Sequence, residues 1–324
     1  MIFDRDLIQC QMFKKAHKNL LQWYKENGRH ELPWRQTHNP YEIYVSEIML
    51  QQTQVKTVLE RFYFPFLESF PTVEDLANAN LDEVLKKWEG LGYYRRARNI
   101  HEAVQKVSPK MPQSIEGLLS MKGVGQSTAH AVASFAYKTA VPILDANVKR
   151  ILYRIFAQFE ANDKELWEMA YKFFDAKHPY EFNQALMDIG STICGKKPLC
   201  DVCPLESVCL GSDTNPLDFP AKKIKKVVPV RERVIIIYRD KEKLGLLQRS
   251  GEFLHGLWGF VQKESLEVEG EFLGSLVHKY THFHLHAKVC ISEEKPKNLT
   301  WFTQNEINAL ALSKADLKAL DLLV

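Results

Sequence analysis

The chain has 324 residues, of which 45% are hydrophobic and 26% are charged, a balance typical of globular proteins. This length predicts two domains, since one hydrophobic core rarely organises so many residues. No apolar run approaches the roughly 18 residues of a membrane span. The acidic residues near the N-terminus are unlike a secretion or transit signal, so we expect a cytoplasmic protein. The formal net charge of +3 does not by itself indicate a nucleic-acid ligand.

Apolar residues recur at helical spacing through about the first 210 residues, beginning with Phe13 and Leu20 on one helix face. Asn39, followed by Pro40, is a favourable helix N-cap. We expect the helix that it starts to continue to about Phe62. The same spacing predicts further helices at 72–79, 81–88, 97–107, 115–121, 127–137, 146–156 and 164–174.

The periodicity changes from helical to alternating in the last third of the chain. Residues 211–227 contain Pro216, Pro220 and the lysine-rich run 222–226, and are predicted to be a linker. Strands are predicted at 234–238 and 282–291, followed by a helix at 314–323. One face of the second strand is apolar and the other carries three histidines. Without carboxylate or cysteine partners, these histidines indicate a polar sheet face rather than a metal site.

Four of the six cysteines crowd into one short segment: Cys194, Cys200, Cys203 and Cys209. In a chain that we expect to be intracellular, such crowding indicates a metal centre before it indicates disulfides. The spacing alone allows either an iron–sulfur cluster or a tetrahedral zinc ion. Lys196 and Lys197 would give this loop a positive surface suited to a phosphate backbone.

A glycine turn, Gly123-Val124-Gly125, separates two predicted helices. Glycines let the backbone turn sharply, and the free amides at the start of the second helix can hold a phosphate. An ordinary turn between helices is the alternative explanation for this motif. The flanking apolar residues favour a DNA-phosphate clamp.

The segment 118–129 resembles the hairpin of the helix–hairpin–helix glycosylase superfamily, and the cysteine spacing is similar to the iron–sulfur loop of its endonuclease III and MutY branches. Segments 45–55 and 88–99 resemble the MutY branch, as 256–260 and 280–285 do more weakly. The resemblance implies an α+β two-domain protein that acts as a monomer. We expect an all-α helix–hairpin–helix glycosylase domain at 1–210 with one 4Fe-4S cluster held at 194–209. A linker at 211–227 and a smaller α/β Nudix-like lesion-recognition domain at 228–324 would follow.

Two carboxylates match the catalytic positions of this family. Glu47 lies among apolar residues, which raises the pKa of a carboxyl and suits a general acid. By resemblance, it protonates adenine at N7 and then helps to activate water. Asp145 precedes a predicted helix, and N-capping would keep its pKa low. By resemblance, it stays ionised and stabilises the oxocarbenium-like sugar.

Ser127 stands where the bifunctional endonuclease III branch has a lysine nucleophile. A serine cannot form a Schiff base with the sugar, so we expect hydrolysis of the glycosidic bond without strand cleavage. The implied substrate is double-stranded DNA with adenine opposite 8-oxoguanine or guanine. A thymine or uracil mismatch glycosylase on the same fold and a catalytically silent DNA-binding homologue are the alternatives.

Further residues are expected by resemblance to hold the DNA. The expected DNA contacts are Gln51, Gln52, Thr53, Tyr93, Arg95, Gly123, Val124, Gly125 and Lys149. Tyr93 could instead belong to the core, and Lys149 could be a plain surface lysine. Tyr280, Thr281 and His282 are expected to read the lesion, with Thr281 where the family commonly has serine. The first cysteine loop is one residue shorter than the family usually has, which puts its geometry in question.

Overall fold

The computed structural model describes residues 2–222, 227–264 and 270–323, and the side chains from residue 11 onward. Helices fill the N-terminal two thirds, and a sheet with two short helices fills the rest. The helices are α1 (Ile2–Asn27), α2 (Pro40–Leu50), α3 (Val55–Arg61), α4 (Tyr63–Ser69), α5 (Val73–Asn78), α6 (Leu81–Lys87), α7 (Arg95–Val107), α8 (Ile115–Leu119), α9 (Gln126–Tyr137), α10 (Ala146–Ile155), α11 (Asp163–Phe173), α12 (Pro179–Thr192), α13 (Gln304–Ala309) and α14 (Lys314–Leu320).

The chain divides into two compact units, and neither is continuous in sequence. The first unit combines 1–51 with 110–224, and the second combines 52–109 with 225–324. In the first unit α1 packs against α12, and α2 packs against α9. Leu20, Ile151, Phe173 and Ile189 lie in the same buried core cluster, which joins α1, α10, α11 and α12.

The predicted helix from residue 39 to 62 is wrong in its length. Asn39 caps α2 as expected, its side chain accepting a hydrogen bond from the Tyr41 amide. The helix ends at Leu50, because Gln52 adopts a left-handed backbone with a φ of 57°. A separate helix, α3, then begins at Val55. The helices α4 and α12 had not been predicted.

The second unit contains a seven-stranded sheet built from β1 (Val230–Asp240), β2 (Lys243–Gln248), β3 (Trp258–Gly259), β4 (Val261–Lys263), β5 (Glu271–Lys279), β6 (His284–Ser292) and β7 (Thr300–Thr303). The central strands β1 and β6 are parallel, and the other strand pairs among the described residues are antiparallel. Ala315 and Ala319 of α14 lie in a buried core cluster with sheet residues such as Leu246 and Leu285.

The alternation predicted for 282–291 is only partly observed in β6. Phe283, Leu285 and Val289 are buried as expected. Cys290, on the face predicted to be polar, is also buried, because Val234 and Leu299 pack around it in a second cluster. Within the described ranges, no helix is both long enough and apolar enough to cross a membrane.

Candidate functional site

Glu47 lies on α2, one turn before that helix ends, and is half-buried. The residues around it in sequence, Val45, Ser46, Ile48 and Met49, are all buried, so the carboxyl has little access to water. Burial raises the pKa of Glu47 to about 7; the negative charge of Asp145 adds to this rise, and the positive charge of Arg35 opposes it. At neutral pH this carboxyl can therefore hold a proton, as a general acid must.

Asp145 is the N-cap of α10, as the sequence predicted. Its Oδ1 accepts a hydrogen bond from the Val148 amide at 2.7 Å. Burial raises the pKa of Asp145 above its ordinary value, while the amides of Val148 and Asn147 and the charge of Arg150 act to lower it. The expectation of a low pKa was therefore wrong in direction, because desolvation outweighs the N-cap hydrogen bonds. The amides and the charge of Arg150 stabilise the anionic form of Asp145, whereas the charge of Asp145 itself disfavours ionisation of Glu47.

Asn147 and Arg150 support Asp145, although no sequence motif indicated a role for either residue. The Asn147 side-chain amide lies 3.3 Å from Oδ2 of Asp145. Arg150 Nη2 donates to Oδ1 of Asn147 at 2.9 Å, and Nε of the same arginine donates to the carbonyl of Cys194 at 2.7 Å. A continuous chain of hydrogen bonds therefore runs from the carboxylate to the cysteine loop.

A buried ion pair in the first unit was also missed. Asp188 is fully buried and accepts hydrogen bonds from both terminal nitrogens of Arg35, at 2.7 and 2.8 Å. Arg29 Nε donates to the same carboxylate at 2.7 Å. Nε of Arg35 is buried and has no hydrogen-bond partner among the described residues. This ion pair leaves no local signal in the sequence, because more than 150 residues separate Asp188 from its two arginine partners.

The glycine turn forms the hairpin that the sequence predicted. It connects α8 to α9, with Gly123 at a φ of 79° and Gly125 as the N-cap of α9. Val124 is buried, while both glycines are exposed. Ser127 lies in the first turn of α9, and Nε2 of Gln51 donates to the hydroxyl of Thr128 at 3.3 Å. Helix packing thus brings the C-terminal end of α2, close to Glu47, to the start of α9.

Two predicted DNA contacts, Gln52 and Tyr93, have left-handed backbones, with φ of 57° and 51°. Bulky residues rarely adopt this conformation, and such strain is often found at functional sites. Tyr93 is 42% exposed, which argues against the alternative that it is a core aromatic. Arg96 lies between Tyr93 and the residue that follows Gln52. Its guanidinium is 5.4 Å from the Tyr93 ring centre and donates to the Thr53 hydroxyl at 3.1 Å. Burial lowers the pKa of Arg96 to about 10.

Arg95 and Lys149 are two predicted DNA contacts whose surroundings differ. Arg95 is exposed at the start of α7. Lys149 donates to Asp163 at 2.7 Å, and Asp163 is itself highly exposed. An exposed pair of this kind stabilises a protein little, so the pairing leaves Lys149 able to exchange its partner for a phosphate.

All four predicted cysteine ligands line one small cavity in the first unit. They are free thiols, and Arg154 Nη1 donates to Sγ of Cys194 at 3.1 Å and to the Gly195 carbonyl at 2.9 Å. Burial raises the pKa of the Cys200, Cys203 and Cys209 thiols, that of Cys203 to about 12. Burial therefore favours the neutral thiols, and a metal bound by these groups would displace their protons. Across the described ranges, no set of three or more His, Cys, Asp or Glu residues is arranged to hold a single metal ion.

Tyr280, Thr281 and His282 lie between β5 and β6 in the second unit. Thr281 and His282 are exposed, and Tyr280 is half-buried. These three residues line a cavity together with Tyr93 and Arg95, so two groups of predicted DNA contacts that are distant in sequence share one site.

Comparison with curated proteins gives the family. The chain is 34% identical over 331 residues to the adenine DNA glycosylase of Buchnera aphidicola subsp. Baizongia pistaciae (strain Bp), an alignment that covers 91% of this chain and 93% of that protein. The chain belongs to the adenine DNA glycosylase family. It is also 39% identical to the Homo sapiens adenine DNA glycosylase over 63% of this chain and 40% of that protein.

Family models match both parts of the chain, and solved structures share its fold over part of its length. Residues 45–174 match the model of the HhH-GPD superfamily base excision DNA repair protein, and 233–322 match a NUDIX domain. A thermostable thymine-DNA glycosylase aligns with a TM-score of 0.58 and 28% identity, covering 63% of this chain and 97% of that one. An endonuclease III–DNA complex, at a TM-score of 0.55 and 22% identity, shares the fold over 63% of this chain and 96% of that one. The predicted fold class is confirmed.

Proposed function

We propose that this protein hydrolyses the N-glycosidic bond of adenine mispaired with 8-oxoguanine or guanine in double-stranded DNA, as a monomer and without cleaving the strand. The proposal depends on one observation above all: the first unit pairs a carboxyl whose pKa is near 7, Glu47, with a hydrogen-bonded carboxyl, Asp145. Two carboxyls in such different surroundings suit the separate roles of acid and anion.

In the proposed reaction Glu47 transfers its proton to N7 of an adenine that has been turned out of the helix. The bond between N9 and C1′ of the sugar then breaks, and its electron pair leaves with the neutral base. The ionised Asp145 stabilises the positive charge left on the sugar. Water adds to C1′ and gives its proton to the Glu47 carboxylate, which restores the acid.

Arg35 is a candidate for holding the adenine. Its charge acts on Glu47, and its Nε is a buried donor with no partner among the residues that the structure describes. A buried donor without a partner costs free energy, which a bound base with an acceptor nitrogen would recover. The bidentate pair with Asp188 fixes the guanidinium in place.

Ser127 determines that the reaction stops after the base is released. Its position in the first turn of α9 is the one at which a lysine would attack the sugar as an amine. A hydroxyl can bind water or substrate there, but it forms no imine. We therefore propose that the product is an intact strand with an abasic site.

The cysteine loop fits a 4Fe-4S cluster. Four thiols line one cavity, and the guanidinium of Arg154 donates to the first sulfur. The choice of a cluster over a single zinc ion depends on the resemblance of the cysteine spacing to the iron–sulfur loop of the endonuclease III and MutY branches. Such a cluster would crosslink the cysteine loop and orient the exposed Lys196 and Lys197 toward DNA.

The second unit would hold and read the DNA around the mispair. Tyr93 and Gln52, exposed on strained backbones, suit the space that the adenine leaves. The hydroxyl of Thr281 can both donate and accept a hydrogen bond, so it can contact 8-oxoguanine. In the first unit Gly123, Gly125 and Lys149 would hold phosphates.

The proposal is tested with three duplexes, carrying adenine opposite 8-oxoguanine, adenine opposite guanine and thymine opposite guanine. We expect release of free adenine from the first two, with strand breaks only after hot alkali. Excision of thymine would instead support the alternative suggested by the alignment with a thymine-DNA glycosylase. Binding without release of either base would support a catalytically silent homologue.

A further inference from the structure

A cavity of 450 Å³ in the second unit is closed on one side by a loop that no motif had singled out. Tyr93 lines it from the helical part of the unit, and Tyr280, Thr281 and His282 line it from the sheet. The remaining side is formed by residues 252–254, with Phe253 between Glu252 and Leu254. This loop therefore faces the residues that are proposed to read the lesion.

Phe253 is 40% exposed, although its ring is apolar. The ring stands edge-on to Tyr280, with centres 5.0 Å apart and planes at 86°, and to His282, at 5.2 Å and 84°. These three rings are called the aromatic wall below. Phe283 also packs against the Phe253 ring, with centres 5.3 Å apart and planes at 60°, and the exposed part of the ring remains accessible to a ligand. The wall thus offers an apolar surface that the protein itself does not cover.

The loop that carries Phe253 has a strained backbone and is held by hydrogen bonds. Leu254 has a φ of 57°, which a bulky side chain rarely adopts. Arg98 Nη1 donates to the carbonyl of His255 at 2.6 Å, and the Leu257 amide donates to the carbonyl of Leu254 at 3.1 Å. Strain that is fixed by surrounding contacts is characteristic of binding sites. Phe253 is therefore presented on a preorganised loop.

Charge around the cavity favours an anionic ligand. Among the described residues, Arg95, Arg98, Lys279 and Lys314 line it, and Glu252 supplies the one carboxylate. An apolar aromatic wall beside several cations matches a nucleotide, whose base stacks while its phosphate lies near the cations.

We propose that Phe253 stacks on the base opposite the target adenine and supplies affinity without reading the identity of that base. The phenyl ring has no hydrogen-bond donor or acceptor, so it cannot distinguish 8-oxoguanine from guanine. Discrimination between the two belongs to Thr281 and His282. This assignment rests on the proposed function, because it takes the bound nucleotide to be part of a mispaired duplex.

The test measures duplex binding by protein in which Glu47→Gln prevents turnover. Adding Phe253→Ala should weaken binding to adenine:8-oxoguanine and adenine:guanine duplexes by the same factor, about tenfold. Phe253→Tyr should keep the affinity, because its ring can still stack. Phe272→Ala is the matched control, since Phe272 is 55% exposed on β5 and does not line the cavity. That control should bind both duplexes as the parent protein does.

A second substitution separates this inference from the proposed function. Thr281→Val should weaken binding to the 8-oxoguanine duplex alone. Unchanged binding by Phe253→Ala, or a loss confined to one duplex, would overturn the assignment of Phe253 and leave adenine excision standing. Equal weakening of both duplexes with an unchanged melting temperature would support it. If the unmodified protein released no adenine, the proposed function would fail whatever Phe253 does.

Discussion

Nη1 of Arg154 lies 3.1 Å from Sγ of Cys194, in contact with the first thiol of the cysteine loop. Arg154 belongs to the last turn of α10, the helix that Asp145 caps at its other end. One rigid element therefore carries the candidate catalytic anion at its start and a contact to the cysteine loop at its end.

Replacing Arg154 should destabilise the cysteine loop. Its side chain is buried and donates to the Gly195 and Pro216 carbonyls as well as to sulfur, so Arg154→Met leaves several acceptors unpaired. The loss should be about 2–4 kcal/mol of unfolding free energy. For the proposed 4Fe-4S cluster, we expect less iron per chain and a weaker cluster absorption. Lys197→Ala, an exposed change in the same loop, should leave the stability, the iron content and the absorption unchanged.

Removing the acidic proton of Glu47 should abolish catalysis while leaving binding intact. Glu47→Gln is expected to lower the single-turnover rate of adenine release by about 10³-fold or more. Glu68→Gln, an exposed change on α4, is the control and should keep the full rate. A Glu47→Gln variant with nearly normal turnover would exclude the acid role.

The rate should also depend on pH in a way set by Glu47. Because its pKa is raised to about 7, the protonated acid is lost as the pH rises through that value, and the rate should fall by about tenfold per pH unit above it. A rate that stays flat from pH 6 to 9, measured in single turnover, would contradict this assignment.

The raised pKa of Glu47 also predicts that Glu47→Gln, although it loses activity, gains stability at high pH. The folded protein binds the Glu47 proton more tightly than the unfolded chain does, so stability falls as the pH rises from about 4.5 to about 7. Glu47→Gln removes this penalty and should stabilise the protein at pH 8 by about 1–3 kcal/mol, but not at pH 4. Thermal melting at the two pH values measures the difference.

Gly190 on α12 should not tolerate a side chain. A Cβ at this position would lie 2.5 Å from Cβ of Asn147, the residue that hydrogen-bonds to Asp145. Gly190→Ala should therefore lower stability by about 1–3 kcal/mol and slow adenine release, because Asn147 must move. Gly251→Ala, where nothing lies within 4 Å of the added carbon, is the control. Equal effects of the two changes would contradict the role of Asn147.

Placing an amine at position 127 should extend the chemistry. Ser127→Lys puts a nucleophile in the first turn of α9, so the variant should form an imine with the sugar and cleave the strand without alkali. Borohydride should trap a covalent protein–DNA product. Lys122→Arg, an exposed basic change before the hairpin, should produce no such adduct.

Local patterns in the sequence were sufficient to predict the helical and sheet-containing parts, the hairpin and the cap at Asp145. The Asn39 cap, the glycine turn and the cysteine spacing are each encoded within a few neighbouring residues. The break after Leu50 was missed because apolar spacing continues through it. The residues around the left-handed Gln52 do not have a composition typical of a turn.

The missed site residues share a physical reason. The Arg35–Asp188 pair and the contact of Arg150 with Cys194 join positions far apart in sequence, so no spacing rule indicates them. Phe253 is an ordinary apolar residue until the fold places it beside Tyr280 and His282. The raised pKa of Asp145 likewise depends on burial, which the N-cap pattern does not report.

The packing of α1 has a consequence for synthesis on the ribosome. After Tyr24, the next described member of its core cluster is Leu144, and α12 lies later still. The apolar stripe of α1 must therefore stay uncovered while more than a hundred residues emerge from the exit tunnel. A nascent chain of this protein should bind chaperones that hold exposed apolar helices, and release them only once α12 has left the ribosome.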